Sequence, residues 1–462
     1  MMPIREAMTD SQLFGGMFGA ESWEAWRVLL AGFYGERLTG EDEPLWSELT
    51  GRLSFPKAAH DELWLAIGRR GGKSDAAALI ALWEALTDHR ARLAPGEVAT
   101  VMVIAADRKQ ARTVMRYISG MIAHPMIAPS VIKEGPESVE FEHRTVIEIT
   151  TASHRATRGY SVAAVICDEI AFWRCEGANP DAEILRALRP SLATLGGKLI
   201  ALSSPYARRG VLWDAYRRHY GKDGRVLVAQ APTATMNPTV DPEIIQAAYA
   251  EDEIAARAEY GAEFRTDVES YVNLEALDAC TRPSHSELPP SPREKHTAFV
   301  DPSGGSVDAF TLAIVHREQE RVIVDCIRSV KPPFSPETVV TEFAELLRSY
   351  HVREVHGDAY AGLWPAEQFE KRGITYKRSE KPKSDLYRDL LPLLNSERVQ
   401  LPPNDQLRRE LLGLERRTSR GGRDIIDHTQ GAHDDLANAV AGAVVHAKKP
   451  DCVIYTGIPS AC

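Results

Sequence analysis

Residues 62–74, ELWLAIGRRGGKS, run from an unbroken apolar stretch through a glycine-rich turn into a helical pattern. An apolar run with no alternating polar face suits a strand buried on both sides. Such strands belong to parallel sheets covered by helices. Four more runs of the same kind follow: TVMVIA (100–105), VAAVIC (162–167), KLIALS (198–203) and RVLVAQA (225–231). Helical stretches at 74–88 and 108–122 lie between them and fit right-handed crossovers. Residues 61–235 are therefore expected to form an α/β domain around a parallel sheet.

The turn carries chemistry as well as shape. Backbone N–H groups of a glycine-rich loop, with the N-terminus of the helix that follows, cradle phosphates. Gly68, Arg69, Arg70, Gly71 and Gly72 would form that cradle for ATP. Lys73 would reach the β- and γ-phosphates, and the Ser74 hydroxyl would bind Mg2+. Gly68 stands one residue closer to Gly72-Lys73 than in the usual spacing. A second element is VAAVICDE, whose strand ends in Asp168 and Glu169. Asp168 would face the Mg2+, and Glu169 would polarise the attacking water. An acidic strand end is commonplace alone; with a phosphate loop upstream it points to a P-loop ATPase. KLIALSSP ends in Ser203 and Ser204, read either as a γ-phosphate contact at Ser204 or as a plain Ser-Pro turn. Arg155 and Arg158 precede the acidic strand. Arg158 is a candidate finger on a neighbouring subunit's ATP, the alternative being a surface arginine.

Around this core, residues 1–60 look helical and aromatic, with Trp23, Trp26, Phe33, Tyr34 and Trp46. Residues 236–290 read as a helical linker region, with PSHSELPPSPREK (283–295) rich in Pro and Ser. The pattern then changes. KHTAFVDP, FTLAIVH and RVIVDCI read as three antiparallel strands, the last two joined by REQE. Helix, strand, helix and strand follow, which is the order of a ribonuclease-H-like fold. This second domain spans 291–447, and 448–462 reads as a tail.

Asp301 and Asp358 end strands that are neighbours in that fold, and Asp434 and Asp435 open a helix able to pack on the same sheet. Carboxylates brought to one place repel unless divalent cations bind between them. Two Mg2+ or Mn2+ ions about 4 Å apart would serve phosphodiester hydrolysis. Asp308 is a possible fourth acid. Singly each has a bland reading, Asp301 as a turn former and Asp434 as a helix cap.

The formal net charge of −10 argues against general DNA affinity, so any nucleic-acid contact must be local. Such a track appears in 375–388, with Lys377, Arg378, Lys381, Lys383 and Arg388. Arg416, Arg417, Arg420 and Arg423 extend it in 416–423. Solvated surface is the alternative. The six cysteines form no C-x-x-C pair, which suits a reducing cytoplasm. No apolar stretch is long enough for a membrane span, so no membrane association is expected.

Taken together, these residues resemble the large terminase subunit of tailed double-stranded DNA phages. GRRGGKS is similar to that family's variant phosphate loop. ATRGYSVAAVICDEIAFW resembles its RG…DE-aromatic block, SSP its coupling motif, and AEYGAEF (258–264) its passage toward the nuclease. VDPSGG, GDAYAG and AHDDLANAVAGA resemble its three nuclease motifs in order. The resemblance covers about residues 60 to 447 and favours Asp435 over Asp434, since family members often keep only the second acid. It implies ATP-driven movement of double-stranded DNA into a procapsid and metal-dependent cutting of concatemeric DNA. It also implies a homo-oligomeric ring on a portal protein, a small terminase subunit, and work in the cytoplasm of an infected bacterium. A helicase or repair translocase with a nuclease domain is the alternative, although no second helicase-type domain follows residue 235. A transposase-like enzyme would leave Lys73, Asp168 and Glu169 idle, and a DNA-binding scaffold would need neither acid set.

Overall fold

A computed structural model describes residues 2–152, 160–173, 180–306, 308–358, 364–418, 424–428 and 432–447. The chain divides into two compact units, Met1–Thr266 and Asp267–Cys462.

The first unit is built on eight strands: β1 (Glu62–Ile67), β2 (Ala99–Ala105), β3 (Val131–Glu134), β4 (Ser138–Phe141), β5 (Thr145–Thr151), β6 (Ser161–Asp168), β7 (Lys198–Ser203) and β8 (Val226–Ala231). They lie in the order β3-β4-β5-β2-β6-β7-β1-β8. Every pairing from β5 to β8 is parallel, and β3 and β4 add an antiparallel edge. The five apolar runs are strands, as expected, and burial on both faces explains their lack of alternation. Helices Lys73–Leu86 and Arg108–Ile122 cover one face, and Pro180–Ala193 and Gly210–His219 the other. The aromatic N-terminal segment packs into the first of these layers, with Trp26 and Trp46 wholly buried.

The boundary after Thr266 falls within the stretch read as a helical linker. Helices Pro242–Glu251 and Glu253–Glu259 belong to the first unit and Leu274–Cys280 to the second.

The second unit contains β9 (Val268–Ser270), β10 (His296–Asp301), β11 (Phe310–Glu318), β12 (Arg321–Val330), β13 (Glu354–Gly357), β14 (Thr375–Arg378), β15 (Val399–Gln400), β16 (Leu414–Thr418) and β17 (Asp424–His428). Its main sheet has the order β14-β13-β10-β11-β12-β15. β10, β11 and β12 form an antiparallel meander. β13 returns parallel to β10, and β14 parallel to β13. That is the strand order expected of a ribonuclease-H-like fold. Helices Pro336–Ser349 and Trp364–Lys371 pack on one face. On the other lie Lys383–Asn395, Asp405–Gly413 and Asp435–Ala447. No helix among the described residues is long and apolar enough to cross a membrane.

The helix Asp435–Ala447 approaches β10 at Gly442, where a Cβ would stand 2.3 Å from the Phe299 ring. Gly442→Ala must push helix and strand apart. It is expected to cost about 1–3 kcal/mol, seen as an earlier unfolding transition of the second unit in urea. An unchanged midpoint would show that the helix has slack there.

Candidate active sites

In the first unit β1 runs into the phosphate-loop sequence, and the loop's shape is imposed from outside. Gly68 has no room for a side chain, since a Cβ would lie 2.4 Å from Thr233 Oγ1 and 2.7 Å from the Tyr260 carbonyl. Arg70 and Gly72 have φ of 66° and 80°, the left-handed region that turns the chain into the helix at Lys73. Thr233 Oγ1 donates to the Arg69 carbonyl at 2.7 Å, Asn237 Nδ2 to that of Arg70 at 2.9 Å, and Trp26 Nε1 to that of Gly71 at 2.9 Å. Peptide planarity means that fixing these three carbonyls also sets the direction of the amides of Arg70, Gly71 and Gly72.

Lys73 is buried and donates to the carbonyls of Ile67 and Gly68 and, at 2.8 Å, to Ser204 Oγ. Burial lowers its pKa, opposed by the charges of Glu169 and Asp168. β7 lies between β1 and β6, so its end stands between the lysine and the acids. Ser203 Oγ donates to Glu169 Oε2 at 2.9 Å and the Ser204 amide to the same oxygen at 3.2 Å. Glu169 Oε1 is 3.7 Å from Lys73 Nζ. Glu169 has φ of 49°, an uncommon conformation for a non-glycine residue, and it turns the chain sharply at the end of β6. Asp168 is buried, and its Oδ1 has no hydrogen-bond partner among the described residues. Burial, then the charge of Glu169, pushes its carboxyl up to about 7. A buried carboxylate oxygen without a donor fits a cation, and Ser74 is half-buried on the first turn beside Lys73. Lys73, Asp168, Glu169 and Ser204 are thus brought together. Arg155 and Arg158 lie outside the described residues.

In the second unit Val300 pairs with Gly357, and Asp301 and Asp358 are the next residues on the two parallel strands. Asp301 accepts a hydrogen bond from Asn438 Nδ2 at 2.8 Å. Burial pushes its carboxyl up to about 8, relieved by that bond and reinforced by the charges of Asp435, Asp358 and Asp434. The two acids of the HDD sequence differ. Asp435 Oδ2 accepts the Ala309 amide at 2.9 Å, and Asp308, His433 and Asp435 offer ligand atoms within 4.8 Å of one another. Asp434 is turned onto Lys383, at 3.1 Å, and accepts the Tyr387 hydroxyl at 2.8 Å. The helix begins at Asp435, with the Asn438 amide bonded to the Asp434 carbonyl. Glu410 accepts the Ala437 amide at 2.8 Å at this same helix start.

His433 and Asn438 were not singled out from the sequence. Asn438 is one helical turn beyond Asp435 and so shares its face, a signal that helical periodicity supplies once the helix is placed. In the basic segments Lys383 is directed inward to Asp434 and Asp427 and so is not an exposed contact. Lys377 pairs with Glu354 and Lys381 with Asp389. Arg416 pairs with Asp424 and Arg417 with Glu415. Arg420 and Arg423 lie outside the described residues.

No protein-family model matches the chain, and no curated protein matches it. Solved structures do. The chain is similar to the large terminase of bacteriophage HK97 at 16% identity, covering 92% of this chain and 99% of that one, with a TM-score of 0.38. It is similar to the large terminase of thermophilic bacteriophage D6E in complex with ADP at 11% identity, covering 83% and 93%, with a TM-score of 0.38. It is also similar to the large terminase nuclease of thermophilic phage G20c with bound magnesium at 18% identity, covering 38% and 96%, with a TM-score of 0.33.

The raised pKa of Asp301 has a consequence for stability. Folded and without divalent ions, its carboxyl keeps a proton up to about pH 8; unfolded, it loses that proton near about pH 4. Between those values the folded state binds the extra proton, so stability falls as pH rises through the window. In EDTA, wild-type stability should decline from pH 5 to 8 by up to about 1 kcal/mol per pH unit. Asp301→Asn should flatten the decline, and Mg2+ should reverse it for the wild type alone. Equal slopes for the two proteins would remove Asp301 from the titrating set.

Proposed function

We propose that this chain is the motor and nuclease of a viral DNA-packaging machine, with the activities of a large terminase subunit. The observation that carries this reading is the joint presence of two sites in two units. One is a glycine-rich loop whose lysine is linked through Ser204 to Glu169. The other is a set of aspartates on a ribonuclease-H-like sheet.

In the first unit the loop amides of Arg70 and Gly72 hold the phosphates of ATP, those of Arg69 and Gly71 being bonded to the Glu259 and Gly68 carbonyls, and Lys73 moves from its own loop carbonyls to the β- and γ-phosphates. Glu169 accepts a hydrogen bond from the attacking water in place of the one it now takes from Ser203. Ser204, bonded to Lys73 and, through its amide, to Glu169, reports the γ-phosphate to both. Mg2+ held by Ser74 and Asp168 would neutralise phosphate charge. Arg158 is proposed to act on a neighbouring subunit's ATP in a homo-oligomeric ring.

In the second unit Asn438 orients Asp301, and the Ala309 amide orients Asp435 toward the same sheet end as Asp358. Two Mg2+ or Mn2+ ions held by Asp301, Asp358 and Asp435 would supply the charge that phosphodiester cleavage requires. Asp434, committed to Lys383 and Tyr387, is proposed as an anchor for the helix. Double-stranded DNA is the substrate, with a portal protein and a small terminase subunit as partners in the host cytoplasm.

Purified protein carrying Lys73→Ala or Glu169→Ala should lose ATP hydrolysis and still nick plasmid. Asp301→Ala should do the reverse. Wild-type hydrolysis by Glu169→Ala, or plasmid cutting in excess EDTA, would overturn the respective assignment. Asp435→Ala should abolish cutting; cutting retained there but lost in Asp434→Asn would exchange the two roles.

DNA contact is tested by salt. Neutralising Lys377 and Lys381 together should make the slope of log affinity against log salt shallower by about one unit per lost phosphate contact, for every sequence alike. An unchanged slope would assign both lysines to their carboxylate partners.

A further inference from the structure

At the opposite end of β10 from Asp301 stands a second cluster of ligand-type side chains, made of His296, His316 and Asp325. His296 and Asp301 are five positions apart, roughly 17 Å along the strand. His296 and His316 are directly paired across β10 and β11. Asp325 arrives by an irregularity in β12. Ile314 pairs with Cys326 and Val315 with Val324, so Asp325 is an extra residue, a β-bulge. The bulge re-aims the strand, since Val324 and Cys326, two residues apart, face opposite cores. His316 Nδ1 lies 2.7 Å from Asp325 Oδ1, and His296 Nε2 lies 3.7 Å from Asp325 Oδ2. The three ligand atoms lie within 4.8 Å of one another.

His296 is the residue that a simple ion pair leaves unexplained. Its side chain is 2% exposed, its Nδ1 has no hydrogen-bond partner among the described residues, and its Nε2 is beyond hydrogen-bond reach of Asp325. Leaving buried polar atoms unsatisfied is costly, and three strands converge to place it there. Burial also lowers the pKa of His296, against the opposing charge of Asp325. His316 is 14% exposed, so an ion has a way in, and the exposed Glu294 stands near enough for its charge to act on both histidines.

We propose that His296, His316 and Asp325 form a transition-metal site of the zinc class that ties β10, β11 and β12 together at the end of the sheet remote from the nuclease aspartates. Two imidazoles and one carboxylate suit Zn2+, Co2+ or Ni2+ and not Mg2+, which prefers oxygen ligands. The fourth position falls to water or Glu294. Binding must open the His316–Asp325 contact: a neutral His316 ring gives up Nδ1 by carrying its proton on Nε2, whereas a protonated ring must first lose one, so binding weakens in acid.

The test uses the full chain carrying Asp301→Asn and Asp435→Asn, which removes the nuclease acids as ligands. After chelation, titration with Co2+ should give the intense visible absorption of four-coordinate cobalt, at one ion per chain. Zn2+ should displace it and Mg2+ should not. His296→Gln and His316→Gln, made separately in that background, should each weaken Co2+ affinity by about tenfold or more while circular dichroism and ATP hydrolysis are kept. Zn2+ should raise the unfolding temperature of the parent chain and not of either variant. Absence of the band, or a band that survives both substitutions, overturns the proposal. If either variant fails to fold, the parent chain decides: an unfolding temperature that Zn2+ leaves unchanged also overturns it.

Discussion

Asp301 is held beside Asp435, Asp358 and Asp434 in a place that burial makes costly for charge, and much of the second unit answers that cost. Asn438 donates to Asp301, the Ala309 amide to Asp435, and Lys383 and Tyr387 to Asp434. The helix that brings both Asp434 and Asp435 presents its N-terminus to the group, where backbone N–H groups and the helix dipole favour negative charge. These donors offset only part of that cost: burial first, and the neighbouring aspartates after it, still hold the Asp301 carboxyl up at about 8. Packing and binding are therefore set against each other: the close approach of Gly442 to Phe299 that seats the helix also concentrates the acids.

The first unit meets a related demand differently. Asp168 and Glu169 are adjacent, and Lys73 is buried within reach of both charges. Because β7 is inserted between β1 and β6, neutral hydroxyls rather than further charges fill the gap. Lysine and glutamate are joined through Ser204 and kept 3.7 Å apart. An ion pair at that distance lets each partner exchange its present contacts at less cost than breaking a close buried bond.

Much of this was legible in the sequence because the informative residues sit where periodicity changes. Asp168, Asp301 and Asp358 end apolar runs, so both their strands and their places at sheet ends could be read. The parallel strands were plain for the same reason: burial on two faces removes polar residues. β3 and β4 were not foreseen, since a short edge strand such as VIKE, largely exposed, carries little apolar signal. The β16–β17 hairpin was hidden because LERRT and DIIDH flank a basic stretch that reads as loop. Lys383 looked like part of a DNA track because composition reports charge and not direction. The metal-type cluster was invisible for a deeper reason: His296, His316 and Asp325 meet only through strand register and a bulge, neither of which a linear pattern records.

The N-terminal segment and the stretch after β8 carry no chemistry in their sequences, yet both shape the phosphate loop. Trp26 fixes the Gly71 carbonyl, Thr233 that of Arg69, and Asn237 that of Arg70, while the Tyr260 carbonyl crowds Gly68 and accepts the Thr233 amide. The Glu259 carbonyl accepts the Arg69 amide, and the Glu259 side chain pairs with that of Arg69. A loop held at each of these carbonyls cannot rearrange alone. Moving Arg69 or Arg70 displaces Thr233, Asn237 and Glu259 with it, and Glu259 lies shortly before the boundary at Thr266. Coupling of this kind is reciprocal. Whatever a change in the loop does to the segment 258–264, a force on that segment does to the loop, and the polypeptide that leads out of the first unit is itself part of the loop's support.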